Sequence, residues 1–213
     1  MKYPRARDAT KAETREALIA AGAAEFAEKG VEGPSLDAIC ARAGFTRGAF
    51  YVHFKDRDDL LAAVLERVLR SFHDAVIGSG DGSENLDQTI GRYVAAHMLE
   101  SPATHGAGRW HFHDTLAACA RIPALRERYL ALQLEAIRRV AIAARAGQRA
   151  KTIRADVPAE MIAQILILVT FGLGVATEIR MPIDLASGGA ALKTLLAEPE
   201  QKKKSKKKKS GAR

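Results

Sequence analysis

The stretch from Ser35 to Lys55, SLDAICARAGFTRGAFYVHFK, constrains this chain more than any other. Leu36, Ile39, Cys40 and Ala43 recur at i, i+3, i+4 and i+7, the spacing that gives a helix one buried face. Ser35 stands where an N-cap belongs, because a serine hydroxyl accepts an N–H that helix geometry leaves unpaired. Gly44 follows the last apolar position and enters the left-handed turn that ends a helix. Thr46 can cap a second helix, Arg47 to about Phe54, with Ala49, Phe50 and Phe54 inward. Arg47, Gly48, Tyr51 and His53 fall mostly on the other side. Two short helices across a glycine turn make the helix-turn-helix pattern, whose second helix enters the DNA major groove.

Charge agrees with that reading. No acidic residue occurs from Ala38 through Lys55, whereas Arg42, Arg47 and Lys55 are basic and His53 can be. A face without carboxylates approaches phosphates without like-charge repulsion, and Gly48 lets the backbone come close to a duplex. The net charge of +8 is not spread evenly. Eight bases and no acids follow Gln201, so the rest of the chain holds 25 bases against 25 acids.

The segment resembles the DNA-binding domain of the TetR family of bacterial transcription regulators. The likeness rests on a leading helix ending in AEFAEKG, then SLDAICARAGFTRGAFYVHFKDRDDLLAAVL, and covers roughly Thr14 to Leu65. The remainder matches only in its layout of helices. The resemblance implies a homodimer on a near-palindromic double-stranded operator, released by a small apolar or amphipathic effector.

Along the chain, Met1 to about Ala9 reads as a polar arm with Lys2, Arg5 and Arg7, and Thr10 to Lys29 as the first helix. Asp56 is a candidate cap for a helix running to about Ile77, and Lys55 lies where that helix's first N–H groups can meet a phosphate. Further helices are expected at Leu86–Glu100, Arg109–Arg121, Pro123–Ala146, Pro158–Arg180 and Ile183–Ala197. The fold class is all-α: an N-terminal three-helix reader, then a larger helical ligand-binding and dimerisation domain, with about nine helices in all. The domains are residues 1–55, 56–200 and a disordered lysine-rich tail, 201–213. Cys40 and Cys119 fit apolar packing in a reducing cytoplasm better than a disulfide. No signal peptide is visible. Met161 to Ile179 approaches membrane-span length, but Gln164, Thr170, Thr177 and Glu178 interrupt it, so a core or dimer helix is expected and no membrane.

The DNA-contacting set is Ser35, Thr46, Arg47, Gly48, Tyr51, His53 and Lys55. Arg47 and Tyr51 are expected on base edges, and Thr46, His53 and Lys55 on phosphates. The candidate effector site is Tyr93, His97, Trp110, His113, Ala117, Thr170 and Phe171. Dimer contacts are expected from Ile165, Leu166, Val169, Leu173 and Ala176 with Leu192, Leu195 and Leu196. His105, His111, His113 and Asp114 suggest a metal, but residues i and i+2 of a helix point about 200° apart, so His111 and His113 cannot share an ion. No metal site, cofactor or catalytic constellation is read here, and the chain is not expected to be an enzyme. The short GLG at Gly172 to Gly174 fits close helix packing. The function expected is a ligand-responsive transcriptional regulator, most simply a repressor. The alternative is an effector-independent, nucleoid-type DNA binder that uses the basic tail.

Overall fold

In the computed structural model, residues 6–78, 81, 83–98 and 111–199 are described, without the side chains of residues 6–9, 97 and 98. Among the described residues there are nine helices and no strand: α1 (Ala6–Lys29), α2 (Leu36–Ala43), α3 (Arg47–Tyr51), α4 (Arg57–Val76), α5 (Leu86–Met98), α6 (Phe112–Arg121), α7 (Pro123–Arg149), α8 (Ala159–Glu178) and α9 (Leu185–Leu196). The lysine tail, Trp110 and His105 lie outside the described residues, as does the side chain of His97.

α1 starts at Ala6, earlier than Thr10, so part of the expected arm is helical. Its alanines and arginine favour helix and nothing there stops one. α3 ends at Tyr51 and not near Phe54. The chain tightens there: the Val52 and His53 N–H groups donate to Ala49 and Phe50 oxygens, three residues back. That turn carries Phe54 into the core, where it is buried with Phe50.

Two apolar cores stack along the molecule. Leu18, Phe26, Ile39, Phe50, Phe54, Leu60, Leu61 and Val64 form the first, joined by Cys119 of α6, Leu125 and Tyr129 of α7, and Ile122 between those helices. Burying a side chain the size of Phe50 or Leu60 stabilises the fold by roughly 1.5–3 kcal/mol each. The reader is therefore fused to the body through shared packing. In the second core Val76, Ile77, Leu86 and Ile90 meet the inner faces of α7 and α8. Ala136, Ala143, Ala144 and Ala163 are fully buried there, and such small side chains let α7 and α8 approach closely. α4 belongs to both cores and runs about 30 Å at 1.5 Å per residue.

α8 is long and apolar enough to cross a membrane by length and composition. Its inner face, Ala159, Ile162, Ala163, Ile167 and Ala176, is buried in the protein. Its outer face carries Met161, Ile165, Leu168 and Val175, continued by the C-cap Ile179, all exposed, at alternating spacings of four and three with Gly172 between.

Candidate nucleic-acid interface and effector cavity

Sequence and geometry agree closely at the reading pair. The Ser35 hydroxyl accepts the Ala38 N–H at 3.1 Å and opens α2. Gly44 closes α2 at φ +76°, in the left-handed region where a side chain is strained. The Thr46 hydroxyl accepts the Ala49 N–H at 3.3 Å and opens α3. With Phe50 fully buried, α3 can turn only one side outward, and that side carries Arg47, Gly48 and Tyr51, all exposed. A Cβ added at Gly48 would meet only the Thr46 hydroxyl, at an ordinary 3.6 Å. Packing therefore does not demand a glycine at 48, whereas close approach of a partner to the helix backbone would.

Three expectations about this face are corrected. Arg42 does not offer a free charge: its guanidinium donates to Glu25 at 3.0 Å and to Glu28 at 2.5 and 2.7 Å, tying α2 to α1. His53 is half-buried, and burial, then the nearby Lys11 and Arg15, lower its pKa below the ordinary histidine value. It stands neutral near pH 7, a hydrogen-bonding group rather than a cation. The N-terminus of α4 is a poor phosphate site, because Asp56 already accepts the Asp59 N–H at 2.8 Å and the carboxylates of Asp58 and Asp59 stand in the first turn. The Asp59 carboxylate in turn accepts the Lys55 backbone N–H at 3.2 Å. Lys55 keeps an exposed side chain.

Sequence reasoning missed two residues that organise this face. Arg57 donates from Nε to the Pro34 oxygen at 2.9 Å and from Nη2 to the Val31 oxygen, with its guanidinium over the Phe26 ring. It fastens the start of α4 to the loop before α2. Asp37 holds Arg47 by two hydrogen bonds, at 2.5 and 2.6 Å, which keep its carboxyl below the usual aspartate range. Asp37 sits one residue outside the acid-free stretch, and only the folded turn brings it to Arg47.

In the body a cavity of about 870 Å³ opens between α4, α5, α7, α8 and α9. Of the expected effector residues, Tyr93, Thr170 and Phe171 line it. Tyr93 Oη donates to the Thr170 oxygen at 3.4 Å, tying α5 to α8. Ala117 is exposed on α6 and does not line the cavity. His113 is also exposed, and its Nδ1 meets Glu178 Oε2 at 2.9 Å, which raises its pKa. The lining residues that were missed are His73, Gln133 and Tyr129 among Phe72, Val140 and Leu166. His73 and Gln133 are polar positions inside otherwise apolar helical stripes, the signal that marks them. Burial first, and then the Arg139 charge, push the His73 pKa down to about 4, so the cavity receives a neutral imidazole. Burial also raises the Tyr93 and Tyr129 phenols above their ordinary values.

Two further expectations change. His111 caps α6 from outside, so it does not follow helix periodicity, and its ring stacks on His113 at 5.5 Å. The angular argument applied to that pair fails for this reason. Among the dimer positions, Ile165, Val169 and Leu195 are exposed, but Ala176 is buried and Leu166, Leu192 and Leu196 pack against the second core. Leu173 lines the cavity. α8 turns a different stripe outward because its alanine face, not its leucines, meets α7. Gly174 packs closely as expected, its Cβ position 3.1 Å from the Phe112 ring, whereas Gly172 faces open space.

The family model described as "Bacterial regulatory proteins, tetR family" matches residues 18–64, the reader and the start of α4. The HTH-type transcriptional repressor BepR of Brucella suis biovar 1 (strain 1330) is 44% identical over 59 residues, 28% of each chain. The HTH-type transcriptional regulator AcrR of Shigella flexneri is 32% identical over 92 residues, 43% of each chain. The alignments thus span less than half the length of these curated relatives. The structure of a SmeT–triclosan complex superposes with a TM-score of 0.64 at 25% identity, over 86% of this chain and 89% of that one. E. coli NemR in its reduced form shares the fold at a TM-score of 0.69 and 20% identity, over 88% of this chain and 99% of that one. Residues 18–64 thus resemble the tetR family of bacterial regulatory proteins, and most of the chain shares its fold with SmeT and NemR.

Proposed function

We propose that this protein is a cytoplasmic transcriptional regulator that represses by binding a near-palindromic operator as a homodimer, and that a small apolar or amphipathic effector in the body cavity releases it. The observation that carries this reading is the outward side of α3. Arg47, Gly48 and Tyr51 are exposed together, on a helix whose other side buries Phe50 in the core. Arg47 and Tyr51 take base edges, while Ser35, Thr46, His53 and Lys55 position the backbone. Residues 1–55 act as the reader and 56–200 as the effector-binding and dimerisation part, with α4 as the link. Its first half lies in the reader's core, and Leu69, Phe72, His73 and Val76 line the cavity. A ligand that prefers one placement of α4 biases the spacing of two readers, and release requires differential affinity for the two states. The triclosan bound by the structurally similar SmeT supports a small-molecule occupant. The exposed stripe on α8 supports a partner copy, since an apolar face of this extent is costly to leave in water.

Two substitutions test the reading face. Arg47→Ala should remove roughly 1–3 kcal/mol of discrimination at one base position per half-site, with the fold intact. Lys55→Ala should weaken binding to every duplex alike and reduce the salt slope by about one. Fluorescence anisotropy on the operator and on single-base variants measures both. If Arg47→Ala binds as the unaltered protein does, α3 is not the reading helix.

A further inference from the structure

Resting on that assignment of Arg47 to a base edge, we infer that Asp37 is a specificity-determining positioning residue, whose carboxylate aims the Arg47 guanidinium at guanine. The bond pattern carries this. Arg47 donates from Nε to Asp37 Oδ1 at 2.5 Å and from Nη2 to Oδ2 at 2.6 Å. The carboxylate thus takes the side edge of the guanidinium. Nη1 has no hydrogen-bond partner among the described residues, and Nη2 keeps its second hydrogen. A guanidinium has five N–H donors in a rigid plane, so one edge engaged leaves the end edge fixed in direction. That end edge presents the parallel pair of donors that guanine O6 and N7 accept.

The surroundings make the arrangement specific. Asp37 belongs to the first turn of α2 and Arg47 to the first turn of α3, and both turns are held by side-chain caps, Ser35 and Thr46. Asp37 and Arg47 are well exposed, so a long arginine side chain would otherwise sample many rotamers. The pair is also electrically balanced. A carboxylate beside a DNA-facing surface repels phosphate, which works against general affinity. What it supplies is direction: the arginine retains its hydrogen-bond donors while its charge is offset, shifting its contribution from general attraction to base choice.

The experiment selects bound duplexes from a pool with a randomised central segment, using the full-length protein and its Arg47→Ala, Asp37→Ala and Asp37→Asn variants. Sequencing the bound fraction gives a preference at each base position, and titrations on one random duplex give general affinity. Arg47→Ala should abolish preference for one guanine per half-site. Asp37→Ala and Asp37→Asn should weaken preference at that same guanine by roughly fivefold to tenfold and leave other positions unchanged. Thermal midpoints should stay within a few degrees of the unaltered protein, and binding to random DNA should stay equal or strengthen. Full preference at the guanine in both Asp37 variants would overturn the inference, whether or not general affinity rises. If Arg47→Ala itself keeps every preference, the reading of Arg47 fails instead, and the two failures are distinct.

Discussion

Arg128 Nη2 on α7 donates a hydrogen bond to Asp59 Oδ1 on α4 at 2.8 Å, while the other oxygen of that carboxylate accepts the Lys55 backbone N–H at 3.2 Å. One carboxylate therefore joins the body to the turn that leaves the reading helix. The pair is part-exposed, so Arg128→Ala should cost less than about 1 kcal/mol of stability. Its effect should appear in DNA binding, as a several-fold weaker operator affinity with a nearly unchanged thermal midpoint. Anisotropy and thermal unfolding of the same preparation check this, and unchanged operator affinity would show that the bond transmits nothing.

His73 should make stability depend on pH. Burial is the main cause that places its folded pKa at about 4, with Arg139 and Arg70 lowering it and Glu135 and Asp74 opposing them. Because the folded value lies below the ordinary histidine value, both states are neutral above about pH 6.5 and stability is unaffected there. As pH falls from about 6.5 towards 4 the unfolded chain takes up a proton first, and stability is lost progressively. The loss is on the order of 3 kcal/mol at most. Urea unfolding at several pH values should show this slope in the unaltered protein and a flatter one in His73→Gln. Equal slopes would mean that His73 is not buried as a neutral group.

The stripe on α8 predicts assembly. Leu168 is 64% exposed and stands at its centre. Leu168→Glu should give a folded monomer by sedimentation velocity, with helix content unchanged and operator affinity reduced more than tenfold. A retained dimer would place the interface elsewhere.

The reader was legible in the sequence because its determinants are local. Ser35, Gly44 and Thr46 act on neighbours within a few residues, and Phe50 and Phe54 declare the buried side by spacing alone. What escaped was set by contacts between distant segments. Asp37 reaches Arg47 only across the folded turn, and Arg42 is neutralised by Glu25 and Glu28 of α1. The outward stripe of α8 was misjudged because apolar residues occur all round that helix, so periodicity does not say which face meets α7. Gln133 and His73 were passed over for the opposite reason. Each is a lone polar side chain in an apolar stripe, and its meaning appears only when α4 and α7 bring the two to one cavity.

The lysine tail should set general attraction to DNA and not operator choice. Lys202, Lys203, Lys204 and Lys206 to Lys209 form a run of like charges, and the chain before them is neutral in sum. A protein ending at Gln201 should bind random duplexes more weakly at low salt and with a shallower salt slope. Its ratio of operator to random-sequence affinity should hold or rise. Equal slopes for the two proteins would remove the tail from DNA binding.

The central claim is two-fold, sequence-specific reading by paired copies of α3. Hydroxyl-radical footprinting of the full-length protein on its selected duplex tests it most directly. The account predicts two protected tracts on one face of the helix, centred one turn or about 34–36 Å apart, with no further growth as protein is added. Protection that spreads along the duplex with increasing protein, with no fixed pair of tracts, would contradict it.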